Sequence, residues 1–274
     1  MLRTHNFRII SIHGAPRSGT SWLGKIFDSH PDVTYRFQPL FSYRFKNVIS
    51  ESSSIEDIAQ FFSDLYAIKK DEFILQDKQK NRGVHPGDFM KSARPSVLVM
   101  KEVRYHYLIR TLLAKVDDIK FIGIVRHPCG VINSWLKTPR EFNPRWDQLR
   151  EWRIAQSKNQ SRIEEYYGFE KWRELAMTFL ELSLQYPKSF KLVRYEDVVA
   201  DPLNSVSELF AFAELPLHAQ TEQFIVSSQA REVEDPDTVF RSSDVAHRWK
   251  HELLPEIRDA ILYEVSNSDL RIFL

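Results

Sequence analysis

A short segment rich in small residues, Gly14 to Trp22 (GAPRSGTSW), contains the residue types best suited to chemistry. It follows an apolar run, Phe7 to His13, that predicts a buried strand, and it leads into a helical pattern that begins at Thr20. A loop of this kind leaves backbone N–H groups free to point at an anion, and the helix N-terminus adds about half a positive charge. Arg17 is hard to explain by packing, whereas its planar guanidinium suits a phosphate or sulfate oxygen. The segment therefore predicts an anion-binding loop.

Two glycines of this segment, Gly14 and Gly19, have the spacing of the nucleotide P-loop, G-x-x-x-x-G-K-[ST]. Thr20 occupies the position of the lysine that reaches the β- and γ-phosphates of a nucleotide, and Ser21 matches the last position. A triphosphate site is therefore not expected. The alternative that the segment alone leaves open is a tight strand-to-helix turn without a ligand.

Four apolar runs alternate with helical patterns along the chain: residues 7–13, 96–101, 119–125 and 190–195. This order predicts an α/β fold with a parallel sheet covered by helices on both faces. Ligands of such sheets bind at the carboxyl ends of the strands, so the loops there are the expected site. Repeats and linkers are absent, and we therefore expect residues 1–274 to form a single domain.

The composition argues against several functional classes. The net charge is +1, so neither a nucleic-acid partner nor binding to a membrane surface is expected. The single cysteine, Cys129, cannot form an internal disulfide, and no apolar run approaches the roughly 20 residues of a membrane span. The first residues lead directly into the first strand, without the pattern of a signal peptide. We therefore expect a cytoplasmic protein; its oligomeric state cannot be predicted.

Four motifs of the chain, in the order that the family shows, resemble the sulfotransferases that use 3′-phosphoadenosine-5′-phosphosulfate (PAPS). The resemblance spans residues 7 to about 254 and therefore nearly the whole chain. The matching segments are Arg17 to Leu23 (RSGTSWL), Arg126 with Ser134 eight positions on, Tyr195 to Asp197 (YED) followed by Asp201-Pro202, and Arg248 to Lys250 (RWK).

The resemblance implies a P-loop-like three-layer α/β/α fold with a central parallel sheet, and transfer of a sulfuryl group from PAPS to an acceptor hydroxyl. In that family the first motif holds the 5′-phosphosulfate, and the arginine and serine of the second hold the 3′-phosphate. Trp22 is implied to stack on the adenine, with a core tryptophan as the even alternative. No metal is implied, since the donor has no triphosphate to bridge. The implied cofactor-binding residues are Arg17, Ser18, Gly19, Thr20, Ser21, Trp22, Arg126, Ser134, Tyr195, Arg248, Trp249 and Lys250.

Catalysis of sulfuryl transfer needs cations where charge builds on the leaving 5′-phosphate and a base at the acceptor hydroxyl. Arg17 is assigned to the leaving oxygen, and Lys101, which ends the second predicted strand, matches a family lysine that contacts the sulfuryl oxygens. Two positions where family members carry a base hold Gln38 and Val103 instead.

The remaining candidates for the base are Glu102 and His106, and we prefer Glu102 because it directly follows Lys101. The alternative for Glu102 is a surface carboxylate paired with Lys101 or Arg104. The alternative for His106 is a position on a helix face without a catalytic role.

The acceptor pocket is expected in the segments 36–95 and about 137–170, which carry many aromatic and basic residues. The arginine in the loop and the Lys101-x-x-Arg104 pattern resemble the carbohydrate sulfotransferases more than the enzymes that act on phenols and steroids. We therefore expect the acceptor to be a carbohydrate or another small molecule with a hydroxyl. One alternative is a P-loop kinase or nucleotide hydrolase, which predicts a lysine before Ser21 and an acidic residue at a strand end. Another is a non-catalytic module that binds phosphoadenosine.

Overall fold

A parallel β-sheet forms the centre of the computed structural model, which describes residues 6–83, 85, 86, 88–230 and 246–274. The strands pair in the order β2-β3-β1-β4-β5, and every pairing is parallel. The α/β fold with a parallel sheet is therefore confirmed. Within the described ranges the strands are β1 (Arg8–His13), β2 (Val33–Phe37), β3 (Val97–Glu102), β4 (Lys120–Val125) and β5 (Phe190–Arg194).

One strand, β2, was not predicted from the sequence. The four predicted apolar runs lie within one residue of the observed strands, whereas β2 is short and carries Thr34 and Arg36 in its interior. Arg36 is nevertheless buried, because backbone carbonyls satisfy its guanidinium: its Nε donates to Leu65 at 2.8 Å and its Nη2 to Ile68 at 3.0 Å. The hydrogen-bond donors of a charged side chain in a strand can thus be satisfied by carbonyls at the end of a helix, here α2, which no local pattern predicts.

Helices cover both faces of the sheet. Ser54 caps the second of them as its position predicts, since its Oγ accepts the N–H of Asp57 at 3.1 Å. Within the described ranges the helices are α1 (Thr20–Asp28), α2 (Ile55–Ala67), α3 (Asp77–Asn81), α4 (Ile109–Lys115), α5 (Pro128–Leu136), α6 (Gln148–Glu151), α7 (Gln156–Asn159), α8 (Phe169–Gln185), α9 (Tyr195–Ala200), α10 (Pro202–Phe212), α11 (Ala219–Ala230), α12 (Trp249–Glu252) and α13 (Pro255–Ser266), with short 3₁₀ turns at Pro39–Phe41, His106–Leu108 and Asp269–Phe273.

The sequence pattern of Trp146 to Tyr186 predicts mostly helix, in two helices that meet near Gly168, but the stretch is less helical than that. Only α8 is long there, and the prediction of a helix before Gly168 is wrong, because α6 and α7 are single turns. Positive φ angles at Ala155 (48°) and Gln160 (49°) end the helical geometry on either side of α7. The predicted break at Gly168 is confirmed, since this residue precedes α8 with a φ of 89°.

Two apolar cores lie on opposite faces of the sheet, as expected for strands whose side chains alternate. Ile9 and Phe121 pack into the core beneath α4, α5, α8 and α13. Their neighbours along the strands, Ile10 and Ile122, pack into the core beneath α1, α10 and α11. The three-layer α/β/α arrangement is thus confirmed. None of the helices in the described ranges is both long and apolar enough to cross a bilayer.

The strand order creates a switch point between β1 and β4. The chain leaves β1 through α1 towards β2 on one side, and it leaves β4 through α5 and α8 towards β5 on the other. The two outgoing loops therefore separate and open a crevice at the carboxyl ends of neighbouring strands. Crevices of this type are the usual ligand sites of open parallel sheets.

A pair of buried histidines lies under this end of the sheet. His13, at the end of β1, lies 2.9 Å from His106 between their Nδ1 atoms and 2.7 Å from the Ser11 Oγ through its Nε2. Burial lowers the pKa of His13 to about 3 and holds the pKa of His106 well below its ordinary value. Both imidazoles are therefore neutral at physiological pH, and the short contact needs one of the two Nδ1 atoms to carry a proton and the other to accept it.

The His13→Gln variant should lose less stability in acid than the wild type. Each buried neutral histidine stabilises the fold above its unfolded pKa of 6.5 and loses this contribution as pH falls, because the unfolded chain binds the proton first. Between pH 6.5 and 5 the loss amounts to roughly 2 kcal/mol per histidine. Urea unfolding at the two pH values measures it, with the exposed His251→Gln as control. Equal acid losses in His13→Gln and wild type would contradict this account.

Candidate active site

A cavity of about 420 Å³ opens at the carboxyl ends of β1, β3 and β4. It lies at the switch point of the sheet, where the α/β topology places ligands. The structure brings residues from distant parts of the sequence together here. The predicted site residues that line the cavity are Arg17, Gly19, Thr20, Ser21, Trp22, Lys101, Arg126, Ser134 and Tyr195.

Gly19 sets the path of the loop after β1. Its φ is 89°, in the left-handed region, and a Cβ at this position would approach the Tyr195 ring to 2.4 Å. A side chain here would therefore clash and strain the backbone at once. The turn delivers the chain directly into α1, so the N–H groups of the first helical residues, Thr20 and Ser21, face the cavity side of the loop.

The loop after β1 contacts the segment after β4 directly. The Arg17 Nε donates a hydrogen bond to the Ser134 Oγ at 3.1 Å, and the Arg126 Nη1 donates to the Arg17 carbonyl at 3.2 Å. Gly130 in α5 leaves room for this arrangement, since a Cβ there would lie 2.9 Å from the Arg126 Nε. The two segments that the sequence singled out as separate anion-binding groups therefore form one surface.

The Tyr-Glu-Asp segment after β5 supports this surface. The Arg126 guanidinium lies 4.8 Å from the centroid of the Tyr195 ring, in cation–π geometry. The Glu196 Oε1 accepts the N–H of His127 at 3.0 Å, and the Trp172 Nε1 donates to the Arg126 carbonyl at 3.0 Å. Side chains from α8 and α9 thus fix the backbone around Arg126.

Lys101 brings a third cation to the cavity from the end of β3. Its side chain is buried, and its Nζ lies 4.5 Å from the centroid of the Phe37 ring. Burial lowers the pKa of Lys101 to about 7, a shift that the nearby Glu102 charge opposes. A negatively charged ligand would therefore stabilise the charged form of Lys101.

Glu102 and His106 do not line this cavity. Because Lys101 and Glu102 are consecutive in β3, their side chains lie on opposite faces of the sheet. The Glu102 Oε1 accepts the N–H of Leu40 at 2.9 Å, and burial raises the pKa of Glu102 to about 8. His106 lies against His13 beneath the sheet. Neither of the two candidates for the base reaches the cavity surface.

The remaining candidates lie at or behind the cavity wall. Trp22 lines the cavity, and its Nε1 donates to the Ser228 Oγ at 2.9 Å, which fixes the half-buried ring. Ser18 is buried within the loop and lies outside the lining. The Trp249 ring stacks on the ring of His127, with 4.2 Å between the two centroids. His127 directly follows Arg126 in sequence.

Arg248 and Lys250 are exposed on either side of Trp249. The cavity lining found among the described residues includes none of this Arg-Trp-Lys segment. A role for it in cofactor binding stays a prediction.

Arg104 lines the cavity through contacts that the sequence alone does not predict. Its Nε forms an ion pair with the Glu165 Oε2 at 2.9 Å, and its Nη1 donates to the Gln38 Oε1 at 2.9 Å. Its guanidinium also lies 4.0 Å from the centroid of the Phe41 ring. Gln38 thus holds an arginine in place, a role that suits a neutral amide.

Glu141 is a second lining residue that the sequence did not single out. Its Oε2 lies 4.0 Å from the Arg17 Nε, and its side chain retains 26% exposure. It lies in the irregular stretch after α5, so no periodic pattern predicts where its carboxylate points. The basic residue beside it, Arg140, also lines the cavity and belongs to the segment about 137–170 in which the acceptor pocket is expected.

The charges around the cavity are strongly biased. Among the lining residues that the structure describes, six are lysine or arginine, and Glu141 is the only acidic residue. Such a concentration of cations around one crevice favours an anionic ligand. The cations are Arg17, Lys101, Arg104, Arg126, Arg140 and Lys158.

Among solved structures, the chain is similar to the sulfotransferase domain from the curacin biosynthetic pathway, with a TM-score of 0.54 and 18% identity over 96% of this chain and 98% of that one. It is also similar to the mouse sulfotransferase SULT7A1 complexed with PAP, with a TM-score of 0.58 and 17% identity over 97% of this chain and 88% of that one. At these identities the likeness shows a shared fold.

The curated relatives carry the same kind of name. Carbohydrate sulfotransferase 3 of Mus musculus is 27% identical over 48% of this chain and 29% of its own length. The Homo sapiens protein of that name is 22% identical over 89% of this chain and 62% of its own length. The chain thus spans less than two thirds of the length of either. Carbohydrate sulfotransferase 1 of Homo sapiens is 25% identical over 90% of this chain and 74% of its own length. The model of the sulfotransferase family matches residues 10–219, and the chain therefore belongs to the sulfotransferase family.

Proposed function

We propose that the protein transfers a sulfuryl group from PAPS to an acceptor hydroxyl, with a carbohydrate as the acceptor class. The observation that carries the proposal is the direct contact of Arg17 with Ser134 and Arg126, which joins two anion-binding segments at the switch point of the sheet. A nucleotide with phosphate groups at both its 5′ and 3′ positions needs two such cradles next to each other. Family membership supports sulfuryl transfer, and the names of the curated relatives support a carbohydrate acceptor.

The residues present suit this co-substrate. The loop of Gly19 and the N-terminus of α1 provide backbone donors for a phosphate, and the excess of cations in the lining supplies opposite charge. The half-buried Trp22 offers a ring face for an adenine. We assign Arg126 and Ser134 to the 3′-phosphate, and Arg17 with the loop to the 5′-phosphosulfate.

Catalysis on this scheme depends on cations placed where charge develops. In-line transfer moves negative charge onto the oxygen that leaves with the 5′-phosphate, and Arg17 is placed to stabilise it. Lys101 reaches the cavity from the neighbouring strand and would hold the sulfuryl oxygens. Phe41 and His85 from the segment 36–95, together with Lys158 and Tyr167 from 137–170, form walls suited to the acceptor.

Two other functions fit the site less well. A P-loop kinase needs a lysine where Thr20 stands and an acidic residue at a strand end, whereas β4 ends next to Arg126. A non-catalytic phosphoadenosine-binding module would use the same cradles without transferring the group. Location in the cytoplasm stays a prediction.

The wild-type protein should bind 3′-phosphoadenosine-5′-phosphate (PAP), the product nucleotide, and transfer label from PAPS to a member of a sugar panel. Arg126→Ala should weaken PAP binding roughly 10- to 100-fold, because charge-assisted hydrogen bonds contribute about 1.5–3 kcal/mol. Calorimetry measures the affinity, and Arg110→Ala is the control, since this exposed arginine pairs with Glu181 on the surface. Binding without transfer to any acceptor would favour the non-catalytic module, and the absence of PAP binding would sink the proposal.

The Gly19→Ala variant should lose both PAP binding and stability. Its Cβ would overlap the Tyr195 ring and distort the loop, in addition to the roughly 1 kcal/mol that a left-handed φ costs an alanine. Gly83→Ala is a matched control: its φ of 68° carries the same strain, but its Cβ would meet no heavy atom within 4 Å. Thermal unfolding and PAP titration compare the two. Equal losses in both variants would show that backbone strain alone, rather than the contact with Tyr195, explains the glycine.

The wild-type kcat/KM for PAPS should fall as pH rises above about 7, by up to about tenfold per pH unit. Burial lowers the pKa of Lys101 to about 7, so the amine becomes neutral in this range and no longer attracts the sulfuryl oxygens. In Lys101→Arg the guanidinium stays charged, so the decline should disappear. The exposed Lys188→Arg should keep the wild-type profile. An identical alkaline decline in Lys101→Arg would show that another group controls it.

A further inference from the structure

The proposed transfer requires a group that takes the proton of the acceptor hydroxyl, and the cavity limits the choice. A base must lie within hydrogen-bond reach of the hydroxyl it deprotonates. Among the described lining residues the arginines stay protonated, and Lys101 acts as a cation in the scheme above. Glu141 is the only aspartate or glutamate in the lining that the structure describes.

The carboxylate of Glu141 is available for this task. Its Oε2 is buried and has no hydrogen-bond partner within the described part of the chain, and its contact with the Arg17 Nε at 4.0 Å is too long for a hydrogen bond. A buried carboxylate oxygen without a donor is unusual in a folded protein and calls for an explanation. Because 26% of the side chain stays exposed, a hydroxyl group that enters the cavity would meet the carboxylate from its open side.

The backbone holds Glu141 in a fixed position relative to the anion cradle. Its N–H donates to the Thr138 carbonyl at 2.9 Å, and its own carbonyl accepts from the Trp135 Nε1 at 3.3 Å. The Thr138 Oγ1 in turn donates to the Ser134 carbonyl at 2.7 Å. The carboxylate is thus anchored to the end of α5, the helix that carries Ser134.

The surroundings of Glu141 place it where transfer would occur. Its negative charge raises the pKa of both Lys101 and Lys158 against the larger effect of burial, so both ammonium groups lie close to it. Arg17 and Lys101 are the cations assigned above to the leaving oxygen and the sulfuryl group. A carboxylate that lines the same cavity as these cations and as Lys158 and Tyr167 adjoins the path of the attacking hydroxyl on the proposed scheme.

We infer that Glu141 is the general base of the reaction, an assignment that rests on the proposed function. The acceptor oxygen forms a bond to sulfur as the Glu141 carboxylate takes its proton. The bond from sulfur to the bridging oxygen breaks, and its electron pair stays on the leaving 5′-phosphate, where Arg17 stabilises the charge. The ion pair of Arg17 with Glu141 links the two events, because the same guanidinium faces the base and the leaving group.

The test compares Glu141→Gln with the wild type on the sugar that the wild type sulfates best. The amide keeps the size of the side chain but cannot accept the proton, so kcat should fall about 100- to 10,000-fold. PAP affinity should stay within about threefold, which also shows that the variant is folded. Any decline of kcat towards acid pH in the wild type should vanish in Glu141→Gln, whereas Glu141→Asp should keep it and recover part of the rate. Glu56→Gln, at an exposed position in α2, is the matched control.

The outcomes separate this inference from the proposed function. Wild-type turnover in Glu141→Gln would overturn the assignment of the base and leave sulfuryl transfer intact. Turnover that is kept in Glu141→Gln but lost in Glu102→Gln or His85→Gln would assign the base to that residue instead. A wild-type protein that neither binds PAP nor transfers sulfate would overturn both.

Discussion

The contact between the loop after β1 and the start of α5 after β4 is the constraint on which the rest of the site depends. Arg126 and the Arg17 carbonyl are 109 residues apart in sequence, yet they meet at hydrogen-bond distance because β1 and β4 are neighbours in the sheet. Two glycines permit the meeting, since a Cβ at Gly19 would strike Tyr195 and one at Gly130 would press on Arg126. The sheet order thus creates the crevice, and small residues allow the cationic side chains to occupy it.

Electrostatics follows from this geometry. The strand ends bring buried cations together, and the described lining residues carry little negative charge. The low pKa of Lys101, about 7, shows how strongly burial disfavours its charged form. A bound anion would reverse that penalty, so ligand binding and the stability of this end of the fold are linked. The carboxylates near the site serve the scaffold as well: Glu165 pairs with Arg104, and Glu196 holds the backbone of His127.

The sequence predicted the parts of the site that local patterns encode. Arg17 and Arg126 follow apolar runs that read directly as buried strands, and parallel topology brings the ends of such strands to one edge. It misplaced Glu102, because adjacency to Lys101 in a strand means opposite faces of the sheet. It also missed Glu141, which lies outside any helix or strand and whose position depends on tertiary contacts with Trp135 and Thr138.

Helix α5 connects the two halves of the proposed chemistry. Its second turn carries Ser134, whose Oγ accepts from the Arg17 Nε, and the chain just beyond its end anchors Glu141, whose Oε2 lies 4.0 Å from the same nitrogen. Arg17 therefore contacts both the hydroxyl assigned above to the nucleotide cradle and the carboxylate proposed above as the base. Because both partners are fixed to one helix, a displacement of α5 would change donor binding and proton removal together. The proposed donor cradle and the proposed base are thus close in sequence and depend on the same helix.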